Sequence, residues 1–238
     1  MISDQLLEEY IERFFGYGNL SGPIWYVGME EGGEANVENI SSILERWVDN
    51  GKTNVHDIAP AKSAPTNPWF NQGSPPIQPT WGKLIRSALH AIGEEVSNES
   101  IRRYQANRLA RDDSETCLIE LMPLPSKSIE TWTYDEISDL SYLKSRKIYM
   151  DQIAPARKIA LARLIKTHRP KIVVFYSSQY LDDWIDVVGA GTVWMDKAFG
   201  KIAKSVGTTY YCVPHPTSYG VKNSNYDDLG QSMREAMV

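Results

Sequence analysis

Leu6, Leu7, Tyr10, Ile11, Phe14 and Phe15 recur at three- and four-residue spacing, which predicts an amphipathic helix that stops near Gly16 and Gly18. The apolar run Ile24, Trp25, Tyr26, Val27 predicts a first strand, and Ile40, Ile43, Leu44 and Trp47 a second helix ending before the turn signal Asn50-Gly51. Trp81, Leu84, Ile85, Ala88, Leu89 and Ile92 form a strongly periodic helix closed by Gly93. Residues 99–111 read as helix and 116–122 as a buried strand ended by Pro123. The pattern then gives a helix over 153–167 bounded by Pro170, a strand over 172–176, a helix over 179–187, a strand over 208–213 and a last helix over 226–237. Strands alternating with helices predict an α/β fold, a three-layer α/β/α sandwich around a central, mainly parallel sheet.

One stretch breaks the alternation. Residues 54–80 are too long for an ordinary connection, and Pro60, Pro65, Pro68, Pro75, Pro76 and Pro79 stiffen them. Trp69 and Phe70 add apolar surface from which a disordered segment would gain nothing, so this loop is expected to work. No flexible linker divides the 238 residues, of which 42% are hydrophobic, so a single domain over 1–238 is expected. No apolar run approaches the ~20 residues that span a bilayer. The N-terminus shows no basic segment followed by an apolar one, so a cytoplasmic, soluble monomer without a membrane partner is expected. Cys117 and Cys212 both sit in apolar strand-like runs, which predicts buried thiols and excludes a four-cysteine metal site. His56-Asp57 has no third ligand at a recognisable spacing, so no metal and no cofactor are expected.

A net charge of −5 argues against a surface that coats DNA, because non-specific affinity comes from neutralising phosphates. A local basic face would still suffice. Its candidates are Arg102, Arg103, Arg108 and Arg111 in one segment and Lys144, Arg146, Lys147, Arg157 and Lys158 in another, each of which also reads as a plain solvated helix face.

Two segments far apart in the chain each follow a strand-like run: Gly28-Met29-Glu30-Glu31-Gly32-Gly33 and His215-Pro216-Thr217-Ser218. In an open parallel sheet, loops at the carboxyl ends of strands converge on one crevice, so acids from the first and the histidine from the second are expected to share a site. Taken singly, the Gly-rich turn also reads as a phosphate loop and the histidine as a structural hydrogen-bonder.

The first segment resembles the opening motif of the uracil-DNA glycosylase superfamily, whose members carry Gly-x-Asp-Pro-Tyr-His, Gly-x-Asn-Pro-Gly or Gly-Glu-Ala-Pro-Gly there. His215-Pro216-Thr217-Ser218 is similar to its closing His-Pro-Ser motif. Between them, Phe70, then Pro75-Pro76-Ile77-Gln78-Pro79-Thr80, then the helix at Trp81 resemble the phenylalanine, proline-rich loop and helix of that superfamily. Glu120 stands where its base-reading strand ends in asparagine. All four features occur in the superfamily's order and span residues 24 to 219.

The resemblance implies a uracil-DNA glycosylase-like fold and monofunctional hydrolysis of an N-glycosidic bond in DNA, without a lysine Schiff base. Such a reaction develops an oxocarbenium-like sugar and an anionic base, and needs negative charge near the one and a donor near the other. Glu30 matches the superfamily's water-positioning residue and His215 the donor, while Glu31, in place of the usual proline, leaves open which acid acts. Phe70, Glu120, Gly32 and Met29 are the candidate base-binding residues. Pro75, Pro76, Thr217, Ser218 and Tyr219 are the candidate DNA contacts, with Tyr219 where the superfamily inserts a wedge. The partner is DNA, either a duplex with a flipped base or a single strand.

Departures from the pattern point to the base. Gly32 stands where the most uracil-selective branch places a tyrosine against C5, so the pocket is expected to be open there. An ionised Glu120 only accepts, which suits the exocyclic amine of cytosine, an amine that uracil does not offer. The expected target is therefore a C5-modified cytosine, such as glucosylated hydroxymethylcytosine of phage DNA, which implies an antiviral role. The alternatives are a repair glycosylase for uracil or another deaminated base, and a non-catalytic module that binds DNA or a nucleotide.

Overall fold

The computed structural model describes residues 2–62, 69–70 and 75–237. Pro65 and Pro68 of the proline-rich stretch lie outside them. The elements run α1 Asp4–Arg13, β1 Gly16–Gly18, β2 Ile24–Gly32, α2 Val37–Asp49, β3 Val55–His56, α3 Ile58–Lys62, α4 Pro79–Ile92, α5 Asn98–Asn107, β4 Thr116–Ser126 and α6 Tyr134–Ile137. They continue with α7 Arg146–His168, β5 Ile172–Phe175, α8 Leu181–Val188, β6 Met195–Lys197, β7 Gly200–Ser205, β8 Thr208–Cys212 and α9 Asn223–Met237.

Eight strands form one sheet in the order β3-β1-β4-β2-β5-β8-β7-β6. The centre, β4-β2-β5-β8, is parallel. At the flanks β1 runs antiparallel to β4, and β7 and β6 form an antiparallel hairpin beside β8. Helices cover both faces, as alternation along β2 demonstrates. The Tyr26 hydroxyl bonds the Leu84 carbonyl and Ser87 of α4, while its neighbour Trp25, on the opposite face, packs on His168 of α7. The α/β architecture with a mainly parallel sheet is thus as the pattern predicts. Among the described residues no helix is long and apolar enough to cross a membrane. Cys117 and Cys212 are free and buried, and burial pushes the Cys212 thiol up to about 12.

Several boundaries differ from the sequence reading. Gly16 to Gly18, read as a helix stop, form β1, and the hairpin Met195–Ser205 and the short β3 were not anticipated. Strand β2 continues through Gly32, so the acidic segment is the end of the strand itself and not a loop after it. Strand β4 runs through Pro123 and Pro125 to Ser126. It does so because pairing with β1 ends at Ile119, leaving one side of β4 without a ladder that needs the missing proline amides. Helix α7 begins at Arg146 and carries Pro155 inside it. Helix α5 ends at Asn107, four residues earlier than expected.

The expected basic faces are largely spent inside the molecule. Arg108 pairs with Glu94 and Glu115, Arg111 with Asp57, Lys147 with Asp151, and Lys158 with Asp183 and Asp186. Arg157 is buried. It donates to the carbonyls of Leu121 (2.7 Å), Ile11 (3.0 Å), Glu12 (3.3 Å) and Glu120 (3.1 Å), and its guanidinium lies 3.6 Å above the centre of the Phe15 ring. Those are the last turn of α1 and the side of β4 that β1 leaves unpaired, so one guanidinium satisfies acceptors that would otherwise be buried without donors. Burial lowers its pKa to about 10.

Candidate active site

Each of the four central strands delivers a polar side chain to one region: Glu30 and Glu31 from the carboxyl end of β2, Glu120 from the middle of β4, which continues six residues beyond it, Tyr176 just after β5 and His215 just after β8. All five line one cavity of about 300 Å³, together with Tyr17, Gly32, Trp69, Gln78 and Trp81. The cavity lies where the chain reverses its direction across the sheet, going from β2 to β4 on one side and then to β5 and β8 on the other. Open parallel sheets bind ligands at such switch points. A larger groove, about 560 Å³, lies beyond the His215 loop and is lined by Phe199, Val213 and Tyr226 among others. It holds none of the acids nor His215, so chemistry and not volume singles out the smaller cavity.

Every carboxylate of the cavity has a donor built into the fold. Arg146, the first residue of α7, donates Nη2 to Glu30 Oε1 at 2.8 Å and Nε to both oxygens at 3.3 Å. The Tyr17 hydroxyl donates to Glu31 Oε2 at 3.2 Å. The Tyr176 hydroxyl donates to Glu120 Oε1 at 2.5 Å. Burial raises both phenols well above their usual range, and neighbouring negative charge raises them further, so they stay protonated donors. The last pair spans a whole strand. Gly28 is in register with Glu120, and a methyl group there would collide with Glu120 Oε2 and the Tyr176 hydroxyl, so only glycine lets β4 and β5 meet above β2.

His215 is half-buried. Burial and, second to it, the charge of Lys83 hold its pKa below the usual value, so the ring is neutral at pH 7. The Thr217 amide (3.3 Å) and hydroxyl (3.0 Å) both lie on Nδ1. With an amide donating to Nδ1, the neutral ring carries its proton on Nε2, as a ready donor. Lys83 of α4 holds the loop in place by donating to the carbonyls of Pro216 (2.5 Å) and Val221 (2.8 Å).

No protein-family model matches the chain, and no curated protein is similar to it at a significant level. The site therefore stands on its geometry.

Of the residues singled out in the sequence, Glu30, Glu31, Gly32, Glu120 and His215 come together in the cavity. A side chain built at Gly32 would meet nothing within 4 Å, so that flank is open. Met29 points into the core instead. Phe70 and its neighbour Trp69 both pack on Trp81, ring centres 5.8 and 6.4 Å apart, and of the two it is Trp69 that lines the cavity. Pro75 is buried and Pro76 exposed, and buried Gln105 ties this loop down by donating to the carbonyls of Trp69 and Pro76 and accepting from the Gln78 amide. Thr217, Ser218 and Tyr219 are exposed outside the cavity, at the tip of the His215 loop. His56-Asp57 is structural: Asp57 chelates the Arg111 guanidinium at 2.7 and 2.8 Å, and His56 packs between Phe14 and Tyr17. Sequence reasoning missed Arg146, Tyr17, Tyr176, Lys83 and Gln105. Tyr176 was findable by the strand-end argument that found Glu30; the others depend on tertiary partners with no local signature.

Proposed function

We propose that the chain is a metal-independent DNA glycosylase of uracil-DNA glycosylase-like fold, which hydrolyses the N-glycosidic bond of a flipped-out pyrimidine and leaves an abasic site. The observation that carries this reading is the meeting of Glu30, Glu31 and Glu120 with a neutral, Nε2-protonated His215 in one cavity. The C1′–N1 bond breaks with its electron pair departing on the base, water bonds to C1′, and the water proton ends on the base. A carboxylate of β2 stabilises the cationic sugar and orients the water, while His215 donates to the base oxygen where negative charge develops. A neutral imidazole suits this task, since it stabilises the departing base without first surrendering a proton.

The target base in this reading is a C5-modified cytosine. Glu120, held by Tyr176, presents a carboxylate to an exocyclic amine, and Gly32 leaves space for a substituent. An enzyme that removed cytosine-like bases from its own genome would destroy it, so foreign DNA, such as phage DNA, is the fitting substrate and antiviral defence the fitting role.

The test is a gel: uracil DNA, plain cytosine DNA and glucosylated phage DNA are incubated with the protein and abasic sites are cleaved chemically. Glucosylated DNA should be cut, and Glu30→Gln and His215→Ala should each slow base release by about 10²–10³-fold. Glu120→Asn should shift preference toward uracil by roughly tenfold or more, because the amide both donates and accepts. Release of uracil with glucosylated DNA untouched would replace the modified-cytosine reading by the repair one, and no release from any substrate would leave a binding module.

A further inference from the structure

Arg146 is an odd residue for its place in the chain. As the first residue of α7, it puts a cation at the positive end of the helix, where local energetics favour acids. Nothing in the helix rewards it; Glu30 does. Both side chains are mostly withdrawn from water, with 18% of Arg146 and 12% of Glu30 exposed, and the planar guanidinium grips the carboxylate by its edge. The grip is asymmetric. Oε1 takes the short bond from Nη2 and a longer one from Nε, whereas Oε2 has only a 3.3 Å contact with Nε, so Oε2 keeps lone pairs for a further donor. Tyr180, just before α8, interacts with Arg146 as well and, with Glu30, favours its charged form. Arg157, three turns further along the same face of α7, holds the backbone of Glu120 through its carbonyl. Helix α7 thus reaches two neighbouring strands at the positions that carry acids.

We infer that Arg146 is a positioning residue, which fixes the Glu30 carboxylate so that Oε2 faces the attacking water, and which acts on catalysis only through Glu30. This rests on the glycosylase reading and assigns Glu30, gripped by a guanidinium, the role of fixed water acceptor, while Glu31 takes its hydrogen bond from the neutral Tyr17 phenol at 3.2 Å.

The test is a double-mutant cycle on single-turnover base release with the full chain and glucosylated DNA. Arg146→Met should lower the rate constant by about 10²-fold, the cost of misplacing a reacting group by an ångström, with KM for DNA unchanged. Arg146→Lys, which keeps the charge without the fork, should recover part of the loss and guards against a folding artefact in the methionine variant. Added guanidinium, at concentrations far below denaturing, should restore rate to Arg146→Ala but not to Glu30→Gln. The decisive number is the double variant: Arg146→Met in Glu30→Gln should be no slower than Glu30→Gln alone. Additive losses would overturn the inference, as would a loss confined to KM, which would make Arg146 a phosphate contact. If the wild type releases base and Arg146→Met matches it, the positioning role fails while the glycosylase reading stands. If the wild type releases no base from glucosylated DNA but does from uracil DNA, the cycle is run on uracil DNA; if it releases none from either, the glycosylase reading fails and the role falls with it.

Discussion

Along the carboxyl edge of the sheet, the β4-β2 end of the cavity and the β8 end are held in different ways. At the first, the three acids have donors supplied by three separate elements, Arg146 from α7, Tyr17 from β1 and the Tyr176 phenol reaching over Gly28. At the second, His215 rides on a loop fastened by local turns and by the Lys83 ammonium, and the loop ends in Tyr219, whose side chain is fully exposed. The acids are part of the framework; the histidine is part of a surface device. Carboxylates crowded into one cavity repel each other and must be ordered before substrate arrives, whereas, on the proposed glycosylase function, a donor that also engages a duplex has to sit on a segment that can meet one. Substitutions at the acid end should therefore disturb the protein itself, and substitutions at the histidine end should disturb function with little cost in stability.

The sharpest way to break the acid end is Gly28→Ala. Its methyl group would strike Glu120 Oε2 and the Tyr176 hydroxyl at once, both rooted in neighbouring strands. Overpacking of this kind costs about 1–3 kcal/mol, and the displaced carboxylate should cost base release about 10²-fold. Chemical denaturation together with the abasic-site assay measures both. Normal stability and normal rate would mean that the Tyr176–Glu120 bridge is dispensable.

At the histidine end, Lys83→Met should loosen the loop while α4, buried through Leu84, Ile85 and Ala88, keeps its place. Base release should fall roughly tenfold, the equivalent of about 1.4 kcal/mol, with the unfolding midpoint nearly unmoved. The imidazole supplies a second reading. Its folded pKa lies below 6.5 through burial first and Lys83 second, so in the native state it binds a proton later than in the unfolded chain. Its contribution to stability is thus present above pH 6.5 and is lost as pH falls below that value toward the folded pKa. Removing Lys83 should raise the folded pKa part of the way back and shrink that loss, which an NMR titration of the His215 ring would show. A ring pKa that stays put would remove Lys83 from the electrostatics of the site.

What the sequence revealed of this site follows from the same contrast. The helix Pro79–Ile92 is legible because its apolar positions recur at helical spacing up to Gly93, and the strands at Ile24 and Ile172 because they are short, unbroken apolar runs buried on both faces. The strand-end rule was enough to bring Glu30, Glu31 and His215 together, since in a parallel sheet the position of a strand end depends on topology more than on detail, whereas Glu120, in the middle of β4, was marked only by the family resemblance. The short strands Gly16–Gly18, Val55–His56 and Met195–Lys197 are two or three residues long and carry no periodicity to detect. Arg146 and Arg157 sat in a run of cations that reads equally well as a solvated face. Only the fold shows that one meets a carboxylate and the other a set of unpaired carbonyls, because a guanidinium's fate is decided by acceptors distant in sequence. The same holds for Trp69 and Phe70: adjacency marked the pair, both pack on Trp81, and only the fold shows that Trp69 is the one lining the cavity.

The smallest expected effect belongs to Tyr219. Its side chain is fully exposed and packs on nothing, although its loop borders the groove that also holds Phe199 and Tyr226. A large aromatic has no reason to stand free on a turn for the sake of stability, so Tyr219→Ala should leave the unfolding free energy within about 0.5 kcal/mol of the wild type. If the ring helps to hold a duplex open while the target nucleotide is out of the stack, its removal matters only where there is a stack to hold. Unstacking costs a few kcal/mol in duplex and least in a strand already single. Base release should therefore slow several-fold on duplex and not at all on a single strand of the same sequence. Equal losses on both substrates would make Tyr219 an ordinary DNA contact, and no loss on either would confine the histidine end of the site to His215 itself.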